Sequence, residues 1–337
     1  MIAEHGGSDS GPAPIHDFSS NASPLGPPPG LLSAVLAAGR SRYPDPAYLA
    51  LRTHLGAAEG VDAARVLPAS GGAEAIRRLS LAAHLSGLRE VWVPQPGFGD
   101  YAAAALALGL QVHRYASVAE LCLALAEPAL VWVCEPCNPT GDSLNDADWL
   151  ALDAALQRSG SILAVDTAYE PLRLMGASQL PPALAERAWR LVCPNKALSL
   201  TGVRAAYMLA PASGHLAEHA RNVAPSWVLS SEGVNLLMHW HDEETQAHLR
   251  HVRAQLRAWR DTQYTVLAEL GWQQRPTCAN FWLAKPKQTG LLEPLRERGI
   301  KLRDATSFGL PGWVRLSTQT PAAQLALRQA IKDLKKT

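Results

Sequence analysis

The chain has 337 residues, 47% of them hydrophobic, with 31 basic side chains against 30 acidic ones. A net charge of +1 gives no electrostatic reason to expect nucleic acid or an anionic membrane as partner, and the length suits one large unit with a smaller one attached. There is no apolar run of roughly 18 residues, the length a membrane helix needs, and the opening MIAEHGGSDSGPAP has neither a basic nor an apolar leader region, so a cytoplasmic protein is expected.

Residues 1–42 are dense in Gly, Pro and Ser, as in LGPPPG at 25–30, and lack periodicity, which predicts an N-terminal arm. From 43 to 235 short apolar runs alternate with longer helical patterns. Glu90–Val93, Gln111–Tyr115, Ala129–Cys134, Ser161–Asp166 and Arg190–Cys193 read as strands. Gly72–Leu85, Asp100–Leu108 and Asp146–Arg158 read as helices between them. This spacing implies βαβ units, an α/β fold, and a large domain whose mostly parallel sheet is sandwiched by helices. Such sheets place ligands at the carboxyl ends of their strands. Ser231 to Leu270 reads as one long helical segment. Ala279–Leu283, Gly299–Asp304 and Gly312–Ser317 then read as strands, and Pro321–Leu334 as a closing helix, of a smaller α+β domain over 236–337.

Five cysteines, at 122, 134, 137, 193 and 278, make no even disulfide framework. Cys134 and Cys137 stand as C-x-x-C, yet no second ligand pair follows at zinc-finger spacing. The His239/His241 and His248/His251 pairs fall far away in a helical stretch. A redox pair would open a helix, whereas Cys134 ends a strand and Pro139 follows. No metal is expected, and both thiols read as small apolar groups flanking a strand end.

The strand ends carry polar chemistry. ALVWVC runs into Asn138-Pro-Thr-Gly141, SILAVD ends on Asp166 with Tyr169 three residues later, and RLVC runs into Pro194-Asn195-Lys196. Ala69-Ser-Gly-Gly-Ala-Glu74 puts small residues just before a helix, where free N–H groups and the helix dipole suit a phosphate. Each has an ordinary alternative: a helix cap for Asp166, a solvated lysine for Lys196, a core phenol for Tyr169. Together they meet the needs of pyridoxal 5'-phosphate, which requires an amine for its aldehyde, an acid for its ring nitrogen, donors for its ring oxygen and a phosphate cradle.

The combination resembles the fold-type-I, class I/II pyridoxal-phosphate aminotransferases, in the branch holding histidinol-phosphate aminotransferase and threonine-phosphate decarboxylase. DFSSNASPLGPP (17–28), RYPDPAYLALR (42–52), ASGGAEAI, PQPGFGDY (94–101), the Asn138, Asp166 and Lys196 blocks, ANFWL and GLPGWVRLS are similar to that family's segments, in order over nearly the whole chain. The resemblance implies that Lys196 anchors the cofactor and then moves the proton at the substrate Cα, with burial lowering its pKa. It implies that Asp166 holds the ring nitrogen, that Asn138 and Tyr169 donate to the ring oxygen, and that Phe98 lies on the ring. Ser70, Gly71, Gly72, Asn195 and Arg204 would hold the phosphate. Tyr43 would reach the phosphate of a neighbouring subunit, implying a homodimer with shared active sites. Arg315, with Asn21 beside it, would take the substrate carboxylate, since a guanidinium donates to both oxygens at once.

Three positions depart from the family pattern: Asn195 and Cys193 stand where hydroxyl residues are usual, and Gly97 where a Ser or Thr is frequent. The expected reaction is amino transfer between a small amino substrate, histidinol-phosphate-like, and a 2-oxo acid. Decarboxylation of threonine phosphate is the alternative, suggested by His5-Gly6-Gly7 and the segment at 17–28. A protein of this fold that binds without catalysing is a third reading, disfavoured by the intact Lys196, Asp166, Tyr169 and Asn138.

Overall fold

The apolar runs pair into a single large sheet, and the alternation along each run decides which layer each side chain enters. The computed structural model describes residues 6–334. After β1 (His16–Asp17) come β2 (Val66–Ala69), β3 (Glu90–Pro94), β4 (Gln111–Tyr115), β5 (Ala129–Cys134), β6 (Ile162–Asp166), β7 (Trp189–Val192) and β8 (Ala206–Leu209). The last seven form one sheet in the order β2-β8-β7-β6-β5-β3-β4. The pairs β3–β4, β3–β5, β5–β6 and β6–β7 are parallel, while β8 runs against both its neighbours.

All six residues of β5 are buried, which explains its unbroken apolar run: a central parallel strand is covered on both faces. Leu130, Trp132 and Cys134 enter one core layer with Ala75, Ile76 and Leu79 from the helix Gly72–Leu85. Ala129, Val131 and Val133 enter the opposite layer with Trp149 and Leu152 from the helix Asp146–Ser159. That second helix opens on a reciprocal cap between Asn145 and Asp148, which satisfies N–H groups the first turn leaves over.

Two expected elements are divided: the strand expected over Gly299–Asp304 is two short strands, Ile300–Lys301 and Arg303–Asp304, in different sheets. The segment 231–270 is two helices, Ser231–Met238 and Glu243–Glu269. The carbonyls of His239 and Trp240 are taken by Thr245 Oγ1 at 2.8 Å and Gln246 Nε2 at 2.7 Å, so the backbone between the helices is satisfied by side chains. Residues 6–42 of the arm contain a helix at Pro29–Leu36 that buries Leu31 and Val35.

The remaining strands are β9 (Gln273–Gln274), β10 (Phe281–Lys285), β11 (Ile300–Lys301), β12 (Arg303–Asp304) and β13 (Val314–Ser317). They build a four-stranded sheet, β12-β13-β10-β9, while β11 pairs with β1 of the arm. The arm then runs between the two sheets. Ser317 N–H donates to Phe18 O on one side, and Ser23 N–H donates to Lys196 O on the other, both at 2.9 Å. Among the described residues no helix is long and apolar enough to cross a membrane.

Candidate active site

Because β2 and β7 both run against β8, the carboxyl ends of β2, β7, β6, β5 and β3 share one edge of the sheet with the start of β8. A cavity of about 380 Å³ opens there. Gly72, Phe98, Asn138, Asp166, Tyr169, Asn195, Lys196 and Arg204 line it, and Asn21 from the arm and Arg315 from β13 close it. Five strand ends and one strand start of a single sheet thus deliver residues spread over more than a hundred positions into one cleft.

Asp166, at the end of β6, is 5% exposed. Burial raises its carboxyl pKa, opposed by hydrogen bonds from Tyr101 and Ala168 and by the charge of Lys196. The Tyr101 hydroxyl donates to Oδ2 at 2.7 Å, and the Ala168 N–H donates to Oδ1 at 3.0 Å. The Lys196 ammonium lies 4.9 Å from the centre of the Tyr169 ring. Here the expectation of a lowered lysine pKa is corrected for the ligand-free chain. Burial pushes it down more than any other single influence, but Tyr169, Cys193, Asp166 and Cys134 together leave it raised.

The turn expected to hold a phosphate is built around bare backbone. Gly71 has φ +101, and a Cβ there would fall 2.3 Å from the Arg204 guanidinium. Gly72 and Arg204 line the cavity; Ser70 does not, its N–H instead donating to Glu74 Oε2 at 3.2 Å. Cys193 is buried and its thiol is pushed up to about 12, chiefly by burial, so it remains a thiol beside the turn. The Asn195 amide donates to Val203 O at 3.5 Å. Tyr43 stands outside the cavity, 77% exposed, its ring stacked on Trp227 at 4.4 Å.

Arg315 lines the cavity from β13. Its guanidinium donates to Asn138 Oδ1 and to Ser19 O, each at 2.6 Å, while Nε is buried without a partner. Burial pushes its pKa down to about 10. Since Asn138 Oδ1 accepts from Arg315, the Asn138 NH₂ group is left to donate toward the cavity. Both polar atoms of the Asn21 side chain are buried without a partner. Orphaned polar groups of this kind cost free energy unless a ligand satisfies them.

Two lining residues, Arg303 and Tyr101, have no role assigned from the sequence. Arg303 sits opposite Arg315 across the β12–β13 ladder, placing a second buried guanidinium at the cavity with Phe308 beside both. Only strand register could have revealed it, because a lone arginine in GIKLRD is unremarkable by itself. Tyr101 lay in plain view inside PQPGFGDY, but its partner Asp166 is 65 positions away. Gly6, Gly7 and Ser8 also line the cavity. A Cβ on Gly6 would fall 2.0 Å from Ser19 O and 2.9 Å from the Arg315 guanidinium, so glycine is needed for the terminus to lie there. His5, singled out with those glycines, lies outside the described residues. Cys134 lines the cavity too, and its thiol donates to Pro136 O at 3.2 Å.

Comparison with known proteins fits this architecture. Residues 13–331 match the family model described as aminotransferase class I and II. The chain is 31% identical over 335 residues to histidinol-phosphate aminotransferase 2 of Caulobacter vibrioides, covering 93% of this chain and 85% of that protein. Among solved structures, L-threonine-O-3-phosphate decarboxylase from Porphyromonas gingivalis superposes with a TM-score of 0.81 at 21% identity, covering 96% of this chain and 100% of that one. Histidinol-phosphate aminotransferase from Sinorhizobium meliloti, solved with pyridoxal-5'-phosphate, gives 0.78 at 20% identity, covering 96% and 92%.

Proposed function

The chain belongs to the class I and II aminotransferases, and from that premise we propose that it moves an amino group between a histidinol-phosphate-like amino substrate and a 2-oxo acid, as a cytoplasmic homodimer. The family works with pyridoxal 5'-phosphate, and the cavity suits that group. It offers a half-buried lysine, a buried carboxylate, a glycine turn against an arginine, and the Asn138 NH₂ group left to donate toward the cavity. When bound, the cofactor supplies an electron sink that weakens the bonds at the substrate Cα.

The residues divide the remaining work. Lys196 would anchor the cofactor and carry the proton at Cα, which requires the amine to shed the proton that Tyr169, Cys193 and Asp166 favour in the empty cleft. Asp166 holds the ring nitrogen, while Asn138 and Tyr169 donate to the ring oxygen. Phe98 covers the ring. Arg204 with the N–H groups of Ser70, Gly71 and Gly72 and the Asn195 side chain holds the phosphate, and Tyr43 reaches the site of a second copy. Arg315 and Asn21 receive an anionic substrate group, and Arg303 adds a second positive charge at the same wall. In this reading the arm (1–42) closes the cleft between a cofactor-binding domain (43–235) and a smaller domain (236–337) that brings both arginines.

The observation that carries the proposal is the half-buried Lys196 within one cavity with Asp166, Tyr169 and Asn138. Purified protein given pyridoxal 5'-phosphate is expected to gain an absorbance band that borohydride fixes, and to form glutamate from histidinol phosphate and 2-oxoglutarate. Lys196→Ala is expected to lose both. A protein that stays colourless with added cofactor rejects the assignment.

A second reading, decarboxylation of threonine phosphate, is favoured by one observation: Gly6, Gly7 and Ser8 line the cavity beside Arg315 and Arg303, adding polar groups suited to a doubly anionic substrate. Carbon dioxide release from threonine phosphate without glutamate formation would select it.

A further inference from the structure

The Asp166 carboxylate is held by a side chain to which neither the family motifs nor the substrate contacts give a part. Tyr101 is fully buried on the helix Gly99–Leu106, and its hydroxyl donates to Asp166 Oδ2 at 2.7 Å. Its ring lies 4.8 Å from that of Trp132 on β5 at an interplanar angle of 16°, and meets Phe98 edge-on at 5.6 Å and 83°. One rigid phenol therefore touches both the acid at the end of β6 and the aromatic that caps the start of its own helix, and both face the same cavity.

We propose that Tyr101 is a positioning residue, holding the Asp166 carboxylate oriented as the counter-charge for a pyridine nitrogen and bracing Phe98 as the plate over the ring. The proposal rests on the cofactor assignment above. The physical need for it is clear from the burial of Asp166. A carboxyl in a dry site tends to keep its proton, and a neutral acid is a poor partner for a protonated ring nitrogen. Two donors oppose that tendency, the Ala168 N–H from the backbone and the Tyr101 hydroxyl from a side chain. Burial and the Asp166 charge raise the phenol pKa well above its usual value, so Tyr101 stays a neutral donor at any working pH. The Trp132 stack removes the ring's freedom to turn, so the donor is aimed before any ligand arrives.

Tyr101→Phe removes one oxygen and keeps both ring contacts, which makes it the informative substitution. Wild type, Tyr101→Phe, Asp166→Asn and the double variant are to be loaded with pyridoxal 5'-phosphate labelled with ¹⁵N in its ring. The nitrogen chemical shift, the cofactor dissociation constant, kcat, KM and the Tm of the unloaded protein are then compared. The expected result for Tyr101→Phe is a shift of the nitrogen resonance toward the unprotonated ring and a kcat lower by about tenfold, the size of one hydrogen bond to a charged group. KM should stay within about twofold, and in the Asp166→Asn background the change should add almost nothing. A residue that merely fills the core would lower Tm and leave the nitrogen resonance and kcat as in wild type; that outcome overturns the proposal, as does full additivity of the two substitutions. A wild-type protein that takes up no cofactor overturns the functional assignment itself, and Tyr101 falls with it.

Discussion

At the scale of single residues, the cavity trades stability for charge. Asp166 has its carboxyl pKa raised by burial, so the folded chain binds that proton more tightly than the unfolded chain does. The sign follows from linkage: the contribution of this carboxyl to stability is fully present below the ordinary carboxylate range and is lost as pH rises through its elevated folded-state pKa. Ionising this acid is thus a net cost to the empty protein, which in the proposed function the bound ring nitrogen would offset. Asp166→Asn separates the two effects. The unloaded variant should melt above wild type at pH 8, with the gap closing as pH falls toward 4, whereas its turnover should drop on the order of 10²–10³-fold as a buried electrostatic partner disappears. Thermal melts of the unloaded protein across that pH range, beside single-substrate kinetics, check both halves. A variant no more stable than wild type at pH 8, or one turning over normally, contradicts the assignment. Lys196, Asp166 and Asn138 could be read from sequence because each follows a strand end. Arg303 and Tyr101 could not, since their meaning lies in a cross-strand register and in a contact between distant helices and strands.

At the scale of elements, the turn proposed to hold the phosphate joins a helix start to a guanidinium. The helix Gly72–Leu85 begins right after a Gly71 held at φ +101, and Arg204 from the approach to β8 fills the space a side chain would occupy. Any larger residue meets two penalties, a left-handed backbone that L-residues adopt with strain and a Cβ 2.3 Å from a guanidinium. Gly71→Ala should therefore leave the sheet folded but displace Arg204, weakening pyridoxal 5'-phosphate binding about tenfold or more, on the scale of one charge-assisted hydrogen bond. Cofactor titration followed by absorbance measures it, and unchanged affinity would show that Arg204 does not hold the phosphate. The long elements were legible for a related reason. The helix Gly72–Leu85 and the strands β4 and β5 follow periodicities of 3.6 and 2 or are wholly apolar, and they match the sequence-based bounds. The four-residue strands β2 and β8 were not seen, because VLPA and AYML are too short to show a period and owe their pairing to the sheet already formed beside them. The break between Met238 and Glu243 was hidden likewise, as it depends on side chains capping carbonyls rather than on any Gly or Pro.

At the scale of the whole molecule, the surface around residue 43 is the feature that the isolated chain leaves unexplained. Tyr43 and Trp227 stack on each other at 4.4 Å while remaining 77% and 49% exposed, and Leu36 and Leu49, on the helices to either side of Tyr43 in the chain, are each 62% exposed. Large apolar side chains left open in this way point to a contact surface. The same region holds Tyr43, a proposed cofactor ligand that the cavity of its own chain does not include. Both facts are accounted for together if two copies associate through this face and each lends Tyr43 to the other. Sedimentation should then give twice the chain mass at micromolar concentration, with an interface above roughly 1,000 Å². Two substitutions distinguish association from ligation. Trp227→Glu puts an unpaired charge into the contact and should shift the protein toward monomer, loosening the cofactor at the same time. Tyr43→Phe keeps the ring stack and should leave the dimer intact while raising the cofactor dissociation constant about tenfold, the cost of one hydrogen bond to phosphate. A monomer that binds pyridoxal 5'-phosphate as tightly as the wild-type protein does at high concentration would exclude a shared site, and Tyr43 would then be a surface residue whose neighbour is only Trp227.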